Sequence, residues 1–485
     1  MAARGWVWAV GAGLVLAVGC GCTGGHGGRA GEAGTGSPGV SAAPTLRGDP
    51  GWAIARAGAP DEIQGYADRT GVRPGEPVQL RVSTTAPTFR VRAYRFGAYP
   101  DGAPAATVWE SSAIPGVRQP AATTDARGTV VAPWRPSLTL PTAGWPPGAY
   151  LLRLEASSGG MRWVPLTVES PSVAGRLVLV QAVTSYQAYN TWGGKNLYFG
   201  QDGSFAGRAR AVSYDRPYQD EDGAGDFFDL EEPLVLFAER AGVPLGYRTS
   251  TDLDLDPHAL DGAAAVVSEG HDEYWSPAMR ANVTRARDSG SSMAFLGANA
   301  VYRRIRFEAG PDGTPDRIEV NYKVPQEDPL FGRDNAKVTG DWPSPPDADP
   351  ESALTGQAYS CDTHTNSPLV VVASGHPLWA GTGVRDGQPL AGLVGPETDR
   401  LDTTGHAPPV TVLGRADVAC AFGPPRTANT TVYTAASGAT VFDAGTQNWV
   451  CALRTDDCPG VPAEVRQVVQ RATGNLLRIL VPQGW

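Results

Sequence analysis

The sequence predicts an all-β immunoglobulin-like sandwich followed by a larger α/β domain on a parallel sheet. Three observations carry that reading. From about Trp52 to Glu169, short alternating runs are broken by turns and show no helical period. From Arg176 on, near-continuous apolar runs of the kind buried in parallel sheets alternate with helix-length segments. Between 263 and 302, a β-leaning run, a short polar turn, a helix-forming segment and a second apolar run follow in one βαβ order. The expected boundaries are 1–20 for a leader, 21–48 for a flexible tether, 49–172 for the sandwich and 173–485 for the α/β domain.

At the N-terminus, Arg4, an apolar core from Trp6 to Val18 and the small residues Ala17-Val18-Gly19 before Cys20 read as a bacterial lipoprotein leader, with Cys20 the lipidated residue. Plain secretion is the alternative, and either places the mature chain outside the cytoplasm. Residues 21–48 are rich in Gly, Ala and Ser and cannot bury enough surface to order themselves. Of the six cysteines, Cys361, Cys420, Cys451 and Cys458 fall late in the chain. An even number in an exported chain reads as two disulfides, with Cys451–Cys458 the natural local pair, which leaves Cys361 with Cys420. A zinc site is the poorer reading because no C-x-x-C pair occurs.

In the sandwich region, 77–83, 89–94, 129–134, 150–155 and 161–168 read as strands, with turns at Arg73-Pro74-Gly75-Glu76 and Pro146-Pro147-Gly148. Trp163 is expected in the core rather than on an exposed carbohydrate platform. The second domain opens with the strand 176–182, which runs into an aromatic- and amide-rich loop, 184–198, containing Tyr186 and Asn190. Helical spacing over 230–240 ends at Gly242, and 247–249 is the next strand. Asp252, Asp254 and Asp256 then read as a solvated turn, since the glycine turn and distal Glu of a calcium loop are missing. After Tyr302 come strands at 318–324, 369–373, 410–413, 431–435 and 439–442. The last two form a hairpin through Ser437-Gly438, and an amphipathic helix covers 464–480.

The chemistry concentrates in Gly270-His271-Asp272-Glu273-Tyr274-Trp275, between a buried strand and a helix opened by Ser276 and Pro277. A helix N-terminus offers free N–H groups and partial positive charge to a carboxylate, a phenolate or an oxyanion. Turns at the carboxyl ends of parallel strands are where ligands bind, so Tyr186 and Asn190, His271 to Tyr274, and Asn299 to Tyr302 are expected to meet in one pocket. No G-x-S-x-G, H-E-x-x-H or phosphate loop occurs. The carboxylates, phenols, amides and one histidine that remain suit proton transfer or a hard metal ion bound through oxygen. The net charge of −10 and the lack of a basic run argue against nucleic acid or an anionic membrane surface. A small-molecule substrate is expected, with membrane contact only through the lipid.

The stretches Y-Q-A-Y-N-T-W-G-G, Y-D-R-P-Y, G-H-D-E-Y-W-S, L-G-A-N-A-V-Y-R-R-I-R-F-E and V-F-D-A-G-T-Q-N-W, in that order, resemble the large-subunit family of N,N-dimethylformamidase. The earlier I-Q-G-Y-A-D-R-T-G-V-R-P-G-E and Y-R-F-G-A-Y are similar to that family's β-sandwich domain, so the resemblance covers the mature chain. It implies a glutamine-amidotransferase-like α/β domain without the elbow cysteine, and an iron held by two tyrosines and a glutamate. Tyr274 is expected as one of those tyrosines. The second tyrosine and the glutamate match no position, leaving Glu308, Glu327 and Glu397 as candidates. A small partner subunit is compatible with the resemblance, but nothing in the chain indicates one. Two functions stay open. One is a hydrolase of a small amide or related C–N bond, with Tyr274 on metal or oxyanion, Glu273 or His271 moving the proton, and Asn299, Tyr186, Asn190 and Tyr302 around the substrate. The other is a non-catalytic surface protein that binds a ligand or carbohydrate.

Overall fold

The computed structural model describes residues 46–482, all within one compact unit. The expected leader, Cys20 and nearly all of the tether lie outside the described residues. Sheet dominates the described residues, with fewer helices. Near the start of the described chain, an antiparallel three-stranded sheet (Ile63–Ala67, Val78–Thr84, Leu138–Leu140) faces a larger one. The larger sheet runs Gly71–Val72, Met161–Val168, Gly148–Ala156, Thr88–Phe96, Ala105–Glu110. Side-chain alternation explains how this sheet is buried on both faces. Tyr150, Leu152, Leu154, Val164 and Leu166 point to the small sheet with Ile63, Leu80 and Val82. Ala149, Leu151, Trp163, Tyr94 and Phe96 point the other way and share a core with Leu177, Phe227, Leu234 and Tyr247. Trp163 is therefore core, stacked 6.5 Å from Trp52. Two expected features differ. Only Val130–Val131 of 129–134 pairs as strand, and Ile63–Ala67 and Ala105–Glu110, whose glycine and alanines weaken the strand signal, do form strands.

The second body is a nine-stranded mixed sheet. Its strands are β1 (Leu177–Gln181), β2 (Leu245–Thr249), β3 (Ala265–Gly270), β4 (Ser292–Gly297), β5 (Ser367–Val371), β6 (Pro389–Val394), β7 (Thr411–Val418), β8 (Arg426–Thr434) and β9 (Thr440–Asp443). They lie in the order β2-β1-β3-β4-β9-β8-β7-β5-β6. The first five in that order are parallel and the rest pair antiparallel. Four helices matter here: α1 (Val183–Tyr189), α2 (Glu232–Ala241), α3 (Pro277–Asp288) and α4 (Ala463–Leu480). Helix α3 begins and ends as its residues dictate. The Ser276 hydroxyl accepts the Met279 N–H at 3.1 Å, Pro277 takes the first turn, and Gly290 has φ +104°.

Two local expectations are corrected. Residues 183–189 are a helix rather than a loop, because Val183 to Ala188 are all buried and only a helix satisfies their backbone there. Of the acidic residues after β2, Asp252 and Asp254 lie on a helix, Ser250–Leu255, and Asp256 follows its end and pairs with Arg73. Asp252 accepts the Thr249 N–H at 2.7 Å in a capping box, and Asp254 receives the Ser276 hydroxyl, so these carboxylates are caps and not a turn.

Cys361 is bonded to Cys420 and Cys451 to Cys458. Alkylation of the unreduced protein followed by intact-mass measurement is expected to label none of these four, and two or more labelled thiols among them would contradict the pairing.

Candidate functional site: phenols around a buried carboxylate

Strands β3 and β4 end side by side, with Gly270 opposite Gly297. A Cβ on Gly297 would fall 1.6 Å from the Gly270 carbonyl oxygen, so only glycine permits this approach. Beyond it, Tyr274–Trp275 pairs in parallel with Arg303–Arg304. The Val301, Arg303 and Ile305 N–H groups donate to the carbonyls of Asp272, Glu273 and Trp275 at 2.8 to 3.0 Å. The turn after β3 and the segment after β4 are thus zipped together. The cost is seen in Asn299 and Val301, held at φ +60° and +59°, which in a β-branched residue such as Val301 is strain of about 1–3 kcal/mol.

This zipper aims Glu273 inward, 1% exposed. Its N–H donates to the Ser185 hydroxyl of α1 at 3.0 Å. Tyr189, at the end of α1, donates its hydroxyl to Glu273 Oε2 at 2.6 Å. Tyr198 reaches the same carboxylate at 3.0 and 3.1 Å, and the two phenol oxygens are 2.8 Å apart. Arg303 Nε donates to Glu273 Oε1 at 3.0 Å and its guanidinium also pairs with Asp341. Behind Tyr198 stands Tyr274, whose hydroxyl donates to Tyr198 at 2.8 Å and accepts from Lys323 Nζ at 2.7 Å. Lys323 lies 3.5 Å from the Tyr198 ring centroid. His271 Nε2 is 3.1 Å from Glu397 Oε2, an ion-pair distance poorly aligned for a hydrogen bond, and 3.6 Å from Glu273 Oε2.

Burial would push the Glu273 carboxyl up, but the neighbouring Lys323, Arg303 and His271 hold it below its ordinary range. Burial, with Arg303 adding to it, pushes the Lys323 amine well down. Burial also opposes the charged form of His271, yet Glu397, Glu273 and Asp226 outweigh it and lift the imidazole to about 9. Burial and then the Glu273 charge raise Tyr189, Tyr198 and Tyr274 well above the ordinary phenol value, so all three are protonated donors here.

Of the residues expected to converge, His271, Glu273 and Tyr274 do so. Asn299 comes close, its N–H on Asp399 at 2.9 Å and its Oδ1 buried with no partner. Tyr302 stands on the other side of Arg303, ring to ring with Tyr359 at 5.1 Å. Asn190 is a correction. Its amide donates to Gln187 and Pro217 and accepts from Trp192 and Gln219, so it braces its own loop and has nothing left for a ligand. Tyr186 packs on Tyr218 beside Glu231 and Glu269 rather than on Glu273. Glu308 and Glu327 are paired with Arg127 and with Arg208 and Arg210, outside the cluster. Tyr189 and Tyr198, absent from the expected site, contact Glu273 directly, and Tyr274 joins it through the Tyr198 hydroxyl. Both lie in the aromatic stretch read as a loop, where nothing marked them out from the other tyrosines. Lys323 carried no local signal at all.

Among the described residues, no group of three or more His, Cys, Asp or Glu side chains could hold a metal ion. A cation here would therefore rest on phenol oxygen. Tyr189 Oη, Tyr198 Oη and the Glu273 carboxylate form an all-oxygen set, which suits a hard cation. Their separations of 2.6 to 3.1 Å match the ~3 Å between ligands on a small octahedral ion.

The family model described as N,N-dimethylformamidase beta subunit-like, C-terminal, matches residues 90–461. No curated protein matches the chain. Among solved structures, a crystal structure of a Paenibacillus sp. cycloisomaltooligosaccharide glucanotransferase complexed with cycloisomaltoheptaose is similar at 18% identity, over 26% of this chain and 18% of that one, with a TM-score of 0.15.

Further carboxyls lie buried with no ion pair among the described residues. Burial lifts Glu231 and Asp443 each to about 8, and Glu269 and Asp399 well above the usual range. A carboxyl whose folded pKa is raised gives stability that is complete below its unfolded value near 4 and is lost as pH rises through about 8. Melting temperature is expected to fall between pH 5.5 and 9, and Asp443→Asn to remove on the order of 2–5 kcal/mol of that dependence. An identical pH profile for the variant would contradict the assignment.

Proposed function

The chain belongs to the N,N-dimethylformamidase beta subunit-like family, and on that premise we propose that it is a hydrolase of a small amide or related C–N bond. One observation carries the reading: two phenols and one carboxylate from separate segments converge within hydrogen-bond distance of one another beside a histidine, a lysine and an arginine. The donor set fits the iron that the family resemblance implies, with Tyr189, Tyr198 and Glu273 holding it and Tyr274 behind them. Such a cation, when bound, supplies Lewis acidity toward an amide oxygen and lowers the pKa of water.

The chain's own residues supply the rest. Arg303 fixes the Glu273 carboxylate in orientation, and the Ser185 hydroxyl holds the Glu273 backbone N–H. Asn299 has a buried carbonyl oxygen without a partner, which can accept from a substrate N–H, where there is one, or from water. Glu397 orients His271, which carries a proton that a departing amine nitrogen can take. Lys323 holds or moves a proton at the Tyr274 hydroxyl. Val301 and the pairing of 274–275 with 303–304 keep these groups from drifting, which positioning demands.

We read 49–172 as an immunoglobulin-like sandwich that covers one side of an amidotransferase-like α/β domain at 173–485. The two disulfides support an oxidising compartment, and with the leader they support export and a lipid anchor at Cys20.

Purified protein assayed with N,N-dimethylformamide, formamide and acetamide is expected to release dimethylamine from the first or ammonia from the others and to contain iron. Tyr198→Phe and Glu273→Gln should each lower metal content and reduce turnover on the order of 100-fold or more, while Lys323→Met should keep the metal and lose turnover. Metal retained and turnover unchanged in Tyr198→Phe would reject the site. Labelling with palmitate should mark the wild type and not Cys20→Ala, and an unlabelled, wholly released wild type would reject the anchor.

A further inference from the structure

A cavity of 540 Å³ opens beside the cluster. Its floor is a two-stranded sheet in which Gln357–Asp362 pairs with Glu397–Leu401, Tyr359 opposite Asp399 and Ala358 opposite Arg400. That second strand faces two ways. Glu397 reaches His271 and Asp399 holds the Asn299 N–H, whereas Arg400 lines the cavity. The wall is continuous with the cluster on another side too, because Tyr302 lines the cavity and its chain neighbour Arg303 binds Glu273. The cavity and the proposed reactive centre therefore share one strand and the Tyr302–Arg303 segment.

The lining specifies a chemical class. Tyr302 and Tyr359 form an aromatic corner, and across from it stands Phe422, 71% exposed. The Phe422 segment is tied to the floor by the Cys361–Cys420 disulfide and by Arg426, whose guanidinium donates to the Ser360 carbonyl at 2.6 Å. A large exposed ring on a cross-linked segment thus stands beside a cavity. Two arginines also line the cavity. Among the described residues, neither Arg400 nor Arg426 forms an ion pair with a carboxylate. Three carboxyls also line the cavity, each hydrogen-bonded within the protein rather than to either arginine. Asp402 accepts the N–H groups of Thr404, His406 and Ala407, Asp362 accepts the Tyr359 hydroxyl, and Glu351 accepts the Tyr359 N–H. Burial pushes Glu351 up to about 7, which weakens its negative charge further.

We propose that this cavity binds a carboxylate carried on an aromatic or flat apolar group, with the carboxylate on Arg400 and Arg426 and the flat group between Phe422 and the tyrosine corner. On the hydrolase reading above, that ligand is the part of the substrate remote from the scissile bond, as in an N-acyl aromatic amino acid. Guanidinium pairs favour carboxylates, and aromatic walls favour planar groups.

The test is calorimetric titration of the full chain with N-acetyl-L-phenylalanine, its uncharged amide and N-acetylglycine, alongside an amine-release assay. N-acetyl-L-phenylalanine is expected to bind at least tenfold more tightly than either of the others. The double variant Arg400→Gln with Arg426→Gln should bind the acid and the amide equally, and Phe422→Ala should bring the acid down to the affinity of N-acetylglycine, with melting temperature and iron content unchanged in both. Equal affinity for the three compounds in the wild type, or a preference that survives in the double variant, overturns the proposal. Hydrolysis of formamide with no such preference would reject the cavity and leave the hydrolase reading. The preference without hydrolysis of any amide would uphold the cavity and reject the hydrolase reading.

Discussion

The constraint on which the rest depends is the burial of the Glu273 charge. A carboxylate with 1% exposure is tolerated only when charged and hydrogen-bonded partners compensate it, since an unpaired one costs several kcal/mol. Arg303, Tyr189 and Tyr198 supply that compensation and the Ser185 hydroxyl holds the backbone N–H, with Ser185 and Tyr189 on α1, Tyr198 on the segment after it and Arg303 after β4. The carboxylate thereby specifies how the end of α1, the turn after β3 and the segment after β4 meet. The Gly270 and Gly297 approach makes the meeting sterically possible, and the strained Asn299 and Val301 mark where backbone preference gave way to it.

The same logic connects the two bodies. The larger sandwich sheet has no free face, because Leu151, Trp163 and Phe96 lie against Leu177, Phe227 and Tyr247. Arg95 crosses that boundary to Glu239 at 2.5 Å, and the Tyr247 hydroxyl donates to the same carboxylate at 2.7 Å. Burial of these large side chains, each worth about 2 kcal/mol or more, makes the sandwich part of the support beneath β1 and β2. Rigidity there matters because α1, which carries Tyr189, follows β1 after only one residue.

Elements with a strong period were legible in the sequence. The runs β1, β3 and β4, the caps of α3, the hairpin of β8 and β9 and the terminal helix all declare themselves locally. Less legible were elements whose form is set by surroundings. Residues 183–189 lack an amphipathic pattern because every face is buried, and they fold as helix only in context. The turn His271 to Tyr274 was readable as a site because ionisable groups crowd it. Which tyrosines face the carboxylate was not readable, because that depends on where the 184–198 segment turns back, and Lys323 arrives from a distant segment with φ +59°.

Most directly, the account is tested by anomalous diffraction at the iron edge from crystals of the iron-loaded protein. It predicts one strong peak within bonding distance of Tyr189 Oη, Tyr198 Oη and the Glu273 carboxylate, with Tyr274 outside that distance. A peak on other side chains, or none with the phenol-to-carboxylate hydrogen bonds intact, would contradict it.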